Sequence, residues 1–487
     1  MFKKSLWPIL LILALVLSAC GGAATPAPAP APAAEEPAAE APAAEAPAAE
    51  QPAAEQPAAA AESKYKESPV LAAKVAAGEL PPVDERLPEE PMVVGPGVYL
   101  TEENLPNWEP GVYGGTLRSA HAVANWSPDI FVMLDEPLVQ APKIGDQGIV
   151  GAVVKEFTVE NDNKDFTFVL RKGLKWSDGE PVTTEDVRFT YENILLNEKI
   201  NPIFPAKFRN GFKADEEPMT LEVVDDYTFK VHFTKPYGGF LRALAIEGWV
   251  GYTDLINPSH YLKQWHADYA DINSDAFKAE YERLNLTDEW WQVFAQKRCQ
   301  NWDMTNPRCV NYPAMNAFIG VPSDNASLLT FERNPYYFKV DTEGQQLPYI
   351  DRIVSQQVEN VEMVNMKVLA GEVDFLREST ALVKIPLYKE NEAKAGFQVV
   401  LLDMHVDSSG LRLNQTFADP DWQSVVRDVR FRQAVSLAIN RQELIDSVYY
   451  GYASLPLQTI GEEFSTFDVA KANALLDEMG LTEKDAD

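Results

Sequence analysis

The sequence predicts a mixed α/β (α+β) protein built as more than one lobe, and three observations carry that prediction. Residues 166–195 hold a strand, a turn and a capped helix in quick succession. A second period-2 strand at 225–233 is followed far downstream by helical patterns between Val429 and Met479, so both element types recur along the chain. Beyond an N-terminal leader and spacer, residues 64–487 remain, more than one hydrophobic core usually serves.

The first unit is the best defined. Phe166, Phe168 and Leu170 alternate with Thr167 and Val169, the pattern of a half-buried strand. Asp178-Gly179 marks a turn, and Pro181 suits the extended connection after it. Thr183 with Asp186 three residues on has the form of a capping box, and Glu185 adds favourable charge at the helix start. Val187, Tyr191, Ile194 and Leu195 then form one apolar helix face. Farther on, Tyr227, Phe229, Val231 and Phe233 share a strand face. Asn440 with Glu443 reads as a cap pair for a helix carrying Leu444, Ile445, Val448 and Tyr449 and ended by Gly451. Asp468 caps a last helix through Leu475, Leu476 and Met479, stopped by Gly480.

The N-terminus reads as an export signal over residues 1–19: Lys3 and Lys4, an apolar run Leu6–Leu17, then small residues. That run is shorter than the roughly 20 residues of a spanning helix. Leu17-Ser-Ala-Cys20 resembles the lipobox of bacterial lipoproteins, which implies a lipidated Cys20 and an anchor on the outer face of the bacterial cytoplasmic membrane. Residues 20–63 then form a spacer in which 23–62 repeat Pro-Ala-Ala-Glu units, as in Glu36–Glu40 and Gln51–Glu55. Nothing there can be buried, and regular prolines favour an extended spacer, reaching at most roughly 120 Å.

The chain carries a formal net charge of −31, which argues against nucleic acid and against electrostatic adhesion to anionic lipid. With 46% hydrophobic and 10% aromatic residues, the composition is that of a globular protein. Of three cysteines, Cys299 and Cys309 remain beside Cys20. In a secreted domain, with turn formers between them, they are expected to form a disulfide, two unpaired thiols being the alternative. A zinc site there would need further ligands, and no His lies in the loop. His-Glu-x-x-His, Gly-x-Ser-x-Gly, the P-loop and the dinucleotide glycine pattern are all missing from the sequence. Neither an enzyme nor a cofactor is expected.

The run from Leu170 to Val187, with Lys175-Trp-Ser-Asp-Gly-Glu-Pro-Val182 at its centre, closely resembles the signature of family 5 extracellular solute-binding proteins. These are oligopeptide- and dipeptide-binding receptors of ABC importers. Asn334–Phe338, Leu347–Val354 and Leu369–Phe375 match a second signature in order, as strand, helix and short strand, and Val429–Arg441 a third. The resemblance implies a two-lobed, periplasmic-binding-protein type II-like fold. It divides the chain into an N-terminal arm at 64–110, lobe I at 111–376 with an accessory subdomain near 150–205, and a partial lobe II at 377–487. Relatives extend past the equivalent of residue 487, so the second lobe, with the acidic loop that grips a peptide's amino terminus, is expected to be incomplete here, the chain being either a fragment, non-functional as it stands, or one with an abbreviated lobe.

The resemblance also implies a non-catalytic, monomeric receptor that binds a solute between its lobes and passes it to ABC permease transmembrane subunits. The stretch after the first strand, Ala122-Val-Ala-Asn-Trp126, is expected to face that cleft and to offer backbone groups to an extended peptide. Ala124, Asn125 and Trp126 are therefore candidate contacts, as are Trp249, whose flanking glycines permit close approach, and Asn414 on an expected crossing strand at Leu411–Gln415. A core position is the alternative for Trp126. Oligopeptide is the leading ligand and oligosaccharide the alternative, since Trp290, Trp291 and Trp302 would suit stacking on sugar faces as well as core packing. A hydrolase, or a structural lipoprotein on a spacer, is the reading from another class.

Overall fold

The computed structural model describes residues 63–97, 107–141, 148–246, 251–401, 410–455 and 461–483. Its strands are β1 Met92–Val94, β2 Thr116–His121, β3 Val139–Gln140, β4 Val150–Gly151, β5 Val154–Glu160, β6 Asp165–Leu170, β7 Thr220–Asp225, β8 Thr228–His232, β9 Phe318–Val321, β10 Leu328–Arg333, β11 Lys339–Asp341 and β12 Arg352–Gln357. Two four-stranded sheets dominate, ordered β2-β12-β10-β9 and β5-β6-β8-β7. The second is antiparallel throughout, whereas in the first β2 and β12 run parallel from Thr116↔Arg352 to His121↔Gln357.

The alternation in β6 is what the sequence pattern requires: Phe166, Phe168 and Leu170 are buried. Phe168 stacks on Phe229 of β8 at 5.2 Å, and Phe166 meets Phe240 edge-on at 5.0 Å. Such pairs add to plain area burial. Thr183 and Asp186 close the capping box that starts helix Thr184–Phe189. The apolar face then continues through a π-helical turn, Thr190–Leu195, rather than a regular α-helix. At its first residue the buried Thr190 hydroxyl donates to the Asp186 carbonyl at 2.7 Å and accepts the Asn257 N–H at 3.0 Å.

The N-terminal arm, expected as a short helix around Pro69–Ala77 and then extended chain, is built into the body over its described residues. Helix Pro69–Ala76, capped by Ser68, is followed by a turn of helix at Val83–Arg86, and β1 pairs in parallel with β11. Arg86 is fully buried, donates to the Pro81 carbonyl at 3.0 Å and to Gln346 at 3.1 Å, and pairs with Glu67. A buried guanidinium requires such partners.

Among the described residues no strand follows Gln357. The short strand expected at Leu369–Phe375 is a helix end followed by a turn: helix Val361–Leu369 stops at Ala370 and Gly371 takes φ +71°. The crossing strand expected at Leu411–Gln415 is irregular chain, mostly exposed, and no neighbouring strand pairs with it. Helices account for the regular structure from Ile385 onward, among them Ile385–Ala395, Val429–Leu437, Arg441–Ser447 and Val469–Glu478. Asn440 and Asp468 cap the last two, as their spacing predicts. Ala434, Leu437 and Ala472 form a small core of their own, while Leu444 and Val448 on the predicted apolar face are exposed.

Candidate ligand-binding site

The parallel pair β2/β12 ends at the loop that carries the predicted contacts. In open sheets of this kind the carboxyl ends of parallel strands face a crevice, because the chain leaves them in loops while the rest of each strand is covered. His121 and Gln357 end the pair side by side, and the Val358 N–H closes it onto the His121 carbonyl at 2.9 Å. The His121 ring lies 2.8 Å from the Ser355 hydroxyl, and burial lowers its pKa to about 4, so it is a neutral support at neutral pH.

The chain leaves β2 through Ala122–Trp126. Ala124 and Asn125 are exposed, and Asn125 adopts φ +61°, a conformation in which an Asn is tolerated better than a branched residue. Trp126 is half-buried: its ring centroid is 6.3 Å from that of Phe131, and its indole N–H donates to the Trp302 carbonyl at 2.9 Å. Ser127 then caps helix Pro128–Leu134 and donates its own N–H to the Thr305 hydroxyl at 3.3 Å. Trp126 is thus not a core side chain, being packed on one side and accessible on the other.

Trp302 was legible in the sequence only as part of an aromatic cluster, and that cluster is dispersed. Trp290 is core, Trp291 packs at the core's margin under Lys199, and Trp302 is 43% exposed beside Trp126. Its loop is closed by a disulfide between Cys299 and Cys309, whose Cα atoms lie 5.9 Å apart. Arg308 braces the loop from within, donating to the Arg298 carbonyl at 2.8 Å and the Gln296 carbonyl at 3.0 Å and pairing with Asp303 at 2.7 Å. The Gln300 side chain accepts the Trp302 indole N–H at 3.0 Å. Asn301 is buried and donates to Asp135, at the end of helix Pro128–Leu134. Burial, with Glu136 alongside, pushes the Asp135 carboxyl up to about 7.

Beside Asn125 this arrangement leaves a pocket of about 220 Å³, walled by residues 304–307 of the closed loop and by β9 and β10. Its polar lining is Asn125, Thr305, Asn306, Ser323, Asn325 and Thr330, with Met304, Val310 and Phe331 among the apolar walls. No ionisable side chain lines it. Among the described residues no group of three His, Cys, Asp or Glu is placed to hold a metal ion.

Asn414 lies outside this cluster and is committed to its own turn: its side-chain oxygen accepts from the Thr416 N–H and hydroxyl, each at 3.0 Å, and its carbonyl accepts the Trp422 indole. Trp249 and Cys20 fall outside the described residues. Asp129, not singled out by its sequence context, is buried and joins helix Pro128–Leu134 to the chain at 377–379, where the second lobe is expected to begin. Nothing in the local sequence marks it, because its partners, two backbone N–H groups and the Ser379 hydroxyl, lie some 250 positions along the chain.

Comparison with known proteins supplies the family. The model for bacterial extracellular solute-binding proteins, family 5, matches residues 148–487, well over half the chain. A periplasmic alpha-galactoside-binding protein of Rhizobium meliloti is 28% identical over 473 residues, covering 87% of this chain and 60% of that protein. The dipeptide-binding protein of Escherichia coli K12 is 23% identical over 409 residues, covering 79% and 63%. Among solved structures, an oligopeptide-binding protein OppA superposes with a TM-score of 0.59 at 31% identity, over 86% of this chain and 64% of its own. The binding protein MelB of Agrobacterium fabrum C58, in complex with stachyose, gives 0.63 at 24% identity, over 87% and 63%. The chain thus spans under two thirds of the length of each of these proteins. The fold is that of the type II periplasmic binding proteins, and proteins of the family are transport receptors, not enzymes. This chain belongs to the family 5 bacterial extracellular solute-binding proteins.

Proposed function

We propose that this chain is the solute-capturing receptor of an ABC importer, holding an oligomeric solute at the carboxyl end of β2 and passing it to the permease's transmembrane subunits. The observation that carries the reading is the open Trp126 loop, backed by a pocket without charged residues, in a chain of the solute-binding family. Residues 377–487 contribute to the opposing lobe, so that ligand burial between the lobes favours the closed state. The receptor acts as a monomer outside the cytoplasm, held to the membrane through a lipidated Cys20 and the 20–63 spacer. No helix among the described residues is long and apolar enough to cross a membrane.

Oligopeptides are one ligand class, supported by the likeness to OppA and to the dipeptide-binding protein and by the exposed residues Ala124 and Asn125. A peptide laid there would pair with main-chain groups, which gives affinity without demanding one side-chain sequence. Oligosaccharides are the second class, favoured by the adjacent open tryptophans and by the likeness to the alpha-galactoside-binding protein and to the stachyose-bound MelB. Native mass spectrometry of the protein purified from its expression host tests the proposal. Bound peptides or oligosaccharides, lost on mild activation, are the expected result. Protein that neither carries nor takes up any such solute contradicts a receptor role.

A further inference from the structure

The loop closed by Cys299 and Cys309 is built like part of a binding site rather than a surface connection. It is tied covalently at its ends, braced inside by Arg308, and anchored below by Asn301 on Asp135. It nevertheless leaves Trp302 43% exposed, although a large aromatic residue is costly to leave in water. Its indole N–H donates to the Gln300 side chain at 3.0 Å, which favours one ring orientation. Trp126 adjoins it through the Trp302 carbonyl, and the pocket is lined by Asn125, just before Trp126 in the chain, and by Met304–Pro307, just after Trp302. Rigid support under an exposed aromatic group is how proteins lower the entropy lost on binding.

The chemistry of the lining selects among ligands. A peptide end brings an ammonium or a carboxylate, and burying either without a counter-charge is unfavourable. The pocket offers amides and hydroxyls, which donate and accept to neutral hydroxyl groups, alongside apolar walls. Indole faces pack well on the C–H faces of a pyranose ring. A volume of about 220 Å³ is below the roughly 300–1,000 Å³ usual for a whole small-molecule site, so it suits one unit of a longer ligand.

We propose that the disulfide-closed loop 299–309 and the Ala122–Trp126 loop together form a subsite for one neutral sugar ring of an oligosaccharide, packed on Trp302 and Trp126 with its hydroxyl groups served by the Asn125 pocket. This inference rests on the receptor reading and sharpens it to a ligand class.

The test is calorimetric titration of the full chain, its Trp302→Ala variant and its Trp302→Phe variant with a panel of neutral tri- and tetrasaccharides, raffinose and stachyose included, and a matched panel of tri- and tetrapeptides. The expected result is saccharide binding that weakens at least tenfold in Trp302→Ala and less than threefold in Trp302→Phe, with thermal midpoints close to wild type. Peptide binding without saccharide binding overturns the subsite while leaving the receptor reading intact. Saccharide binding that is indifferent to Trp302→Ala also overturns the subsite. Binding of neither panel overturns the subsite and contradicts the receptor reading as well.

Discussion

The Asp129 carboxylate accepts the backbone N–H of Arg377 at 2.6 Å, joining two points 248 residues apart in the chain. The same oxygen accepts the Glu378 N–H at 2.7 Å, and the other accepts the Ser379 hydroxyl at 2.6 Å. One buried side chain on the helix behind the Trp126 loop therefore fixes where the chain departs toward its C-terminal helices. Asp129→Ala is expected to lower unfolding free energy by about 2–3 kcal/mol, the scale of hydrogen bonds to a charged group. Denaturant unfolding measures the loss. Amide hydrogen exchange at 377–379 should accelerate by more than at β6, which a purely global effect would not produce.

The disulfide closes a sequence separation of ten residues. Replacing both cysteines, Cys299→Ser with Cys309→Ser, is expected to cost about 2–3 kcal/mol through the unfolded chain's regained freedom. Thermal unfolding of the variant against wild type checks this. Because Trp302 sits inside the loop, its emission should also shift to the red in the folded variant as the ring gains access to water.

Asp135 gives a pH dependence with a definite sign. Its carboxyl is raised from 3.8 to about 7 by burial, so between those values the folded state binds a proton that the unfolded state has released. The stability it contributes is complete below about 3.8 and is lost as pH rises through about 7. Asp135→Asn keeps an oxygen for Asn301 and removes the titration. The unfolding free energy of wild type relative to this variant should therefore decline from pH 4 to pH 7.5, as read from denaturant curves at each pH. A difference independent of pH would show that Asp135 is charged in the folded protein throughout.

What could be seen in the sequence was local. The alternation of Phe166, Phe168 and Leu170, the Thr183–Asp186 capping box and the caps at Asn440 and Asp468 each depend on residues a few positions apart, and the structure shows each of them. The docking of the arm was hidden because Arg86 finds Gln346 and β1 finds β11 across some 250 positions. A strand at Leu411–Gln415 was expected from similarity, but extended chain becomes a strand only beside a partner, and among the described residues none pairs with it. The pairing of Trp126 with Trp302 spans 176 positions, beyond any local pattern. The one hint was a tryptophan held between two cysteines, since a closed loop fixes what it carries.

The central claim is that the Trp126 loop binds the solute, and the most direct measurement is ligand affinity and unfolding free energy of Trp126→Ala on the same sample. Trp126 is half-buried, with one indole hydrogen bond and one ring neighbour, so truncation should cost about 1–2 kcal/mol, below the roughly 3–5 kcal/mol of a core tryptophan. The account predicts affinity reduced at least tenfold together with that small stability loss. Unchanged affinity with a stability loss on the core scale would contradict it and make Trp126 a packing residue.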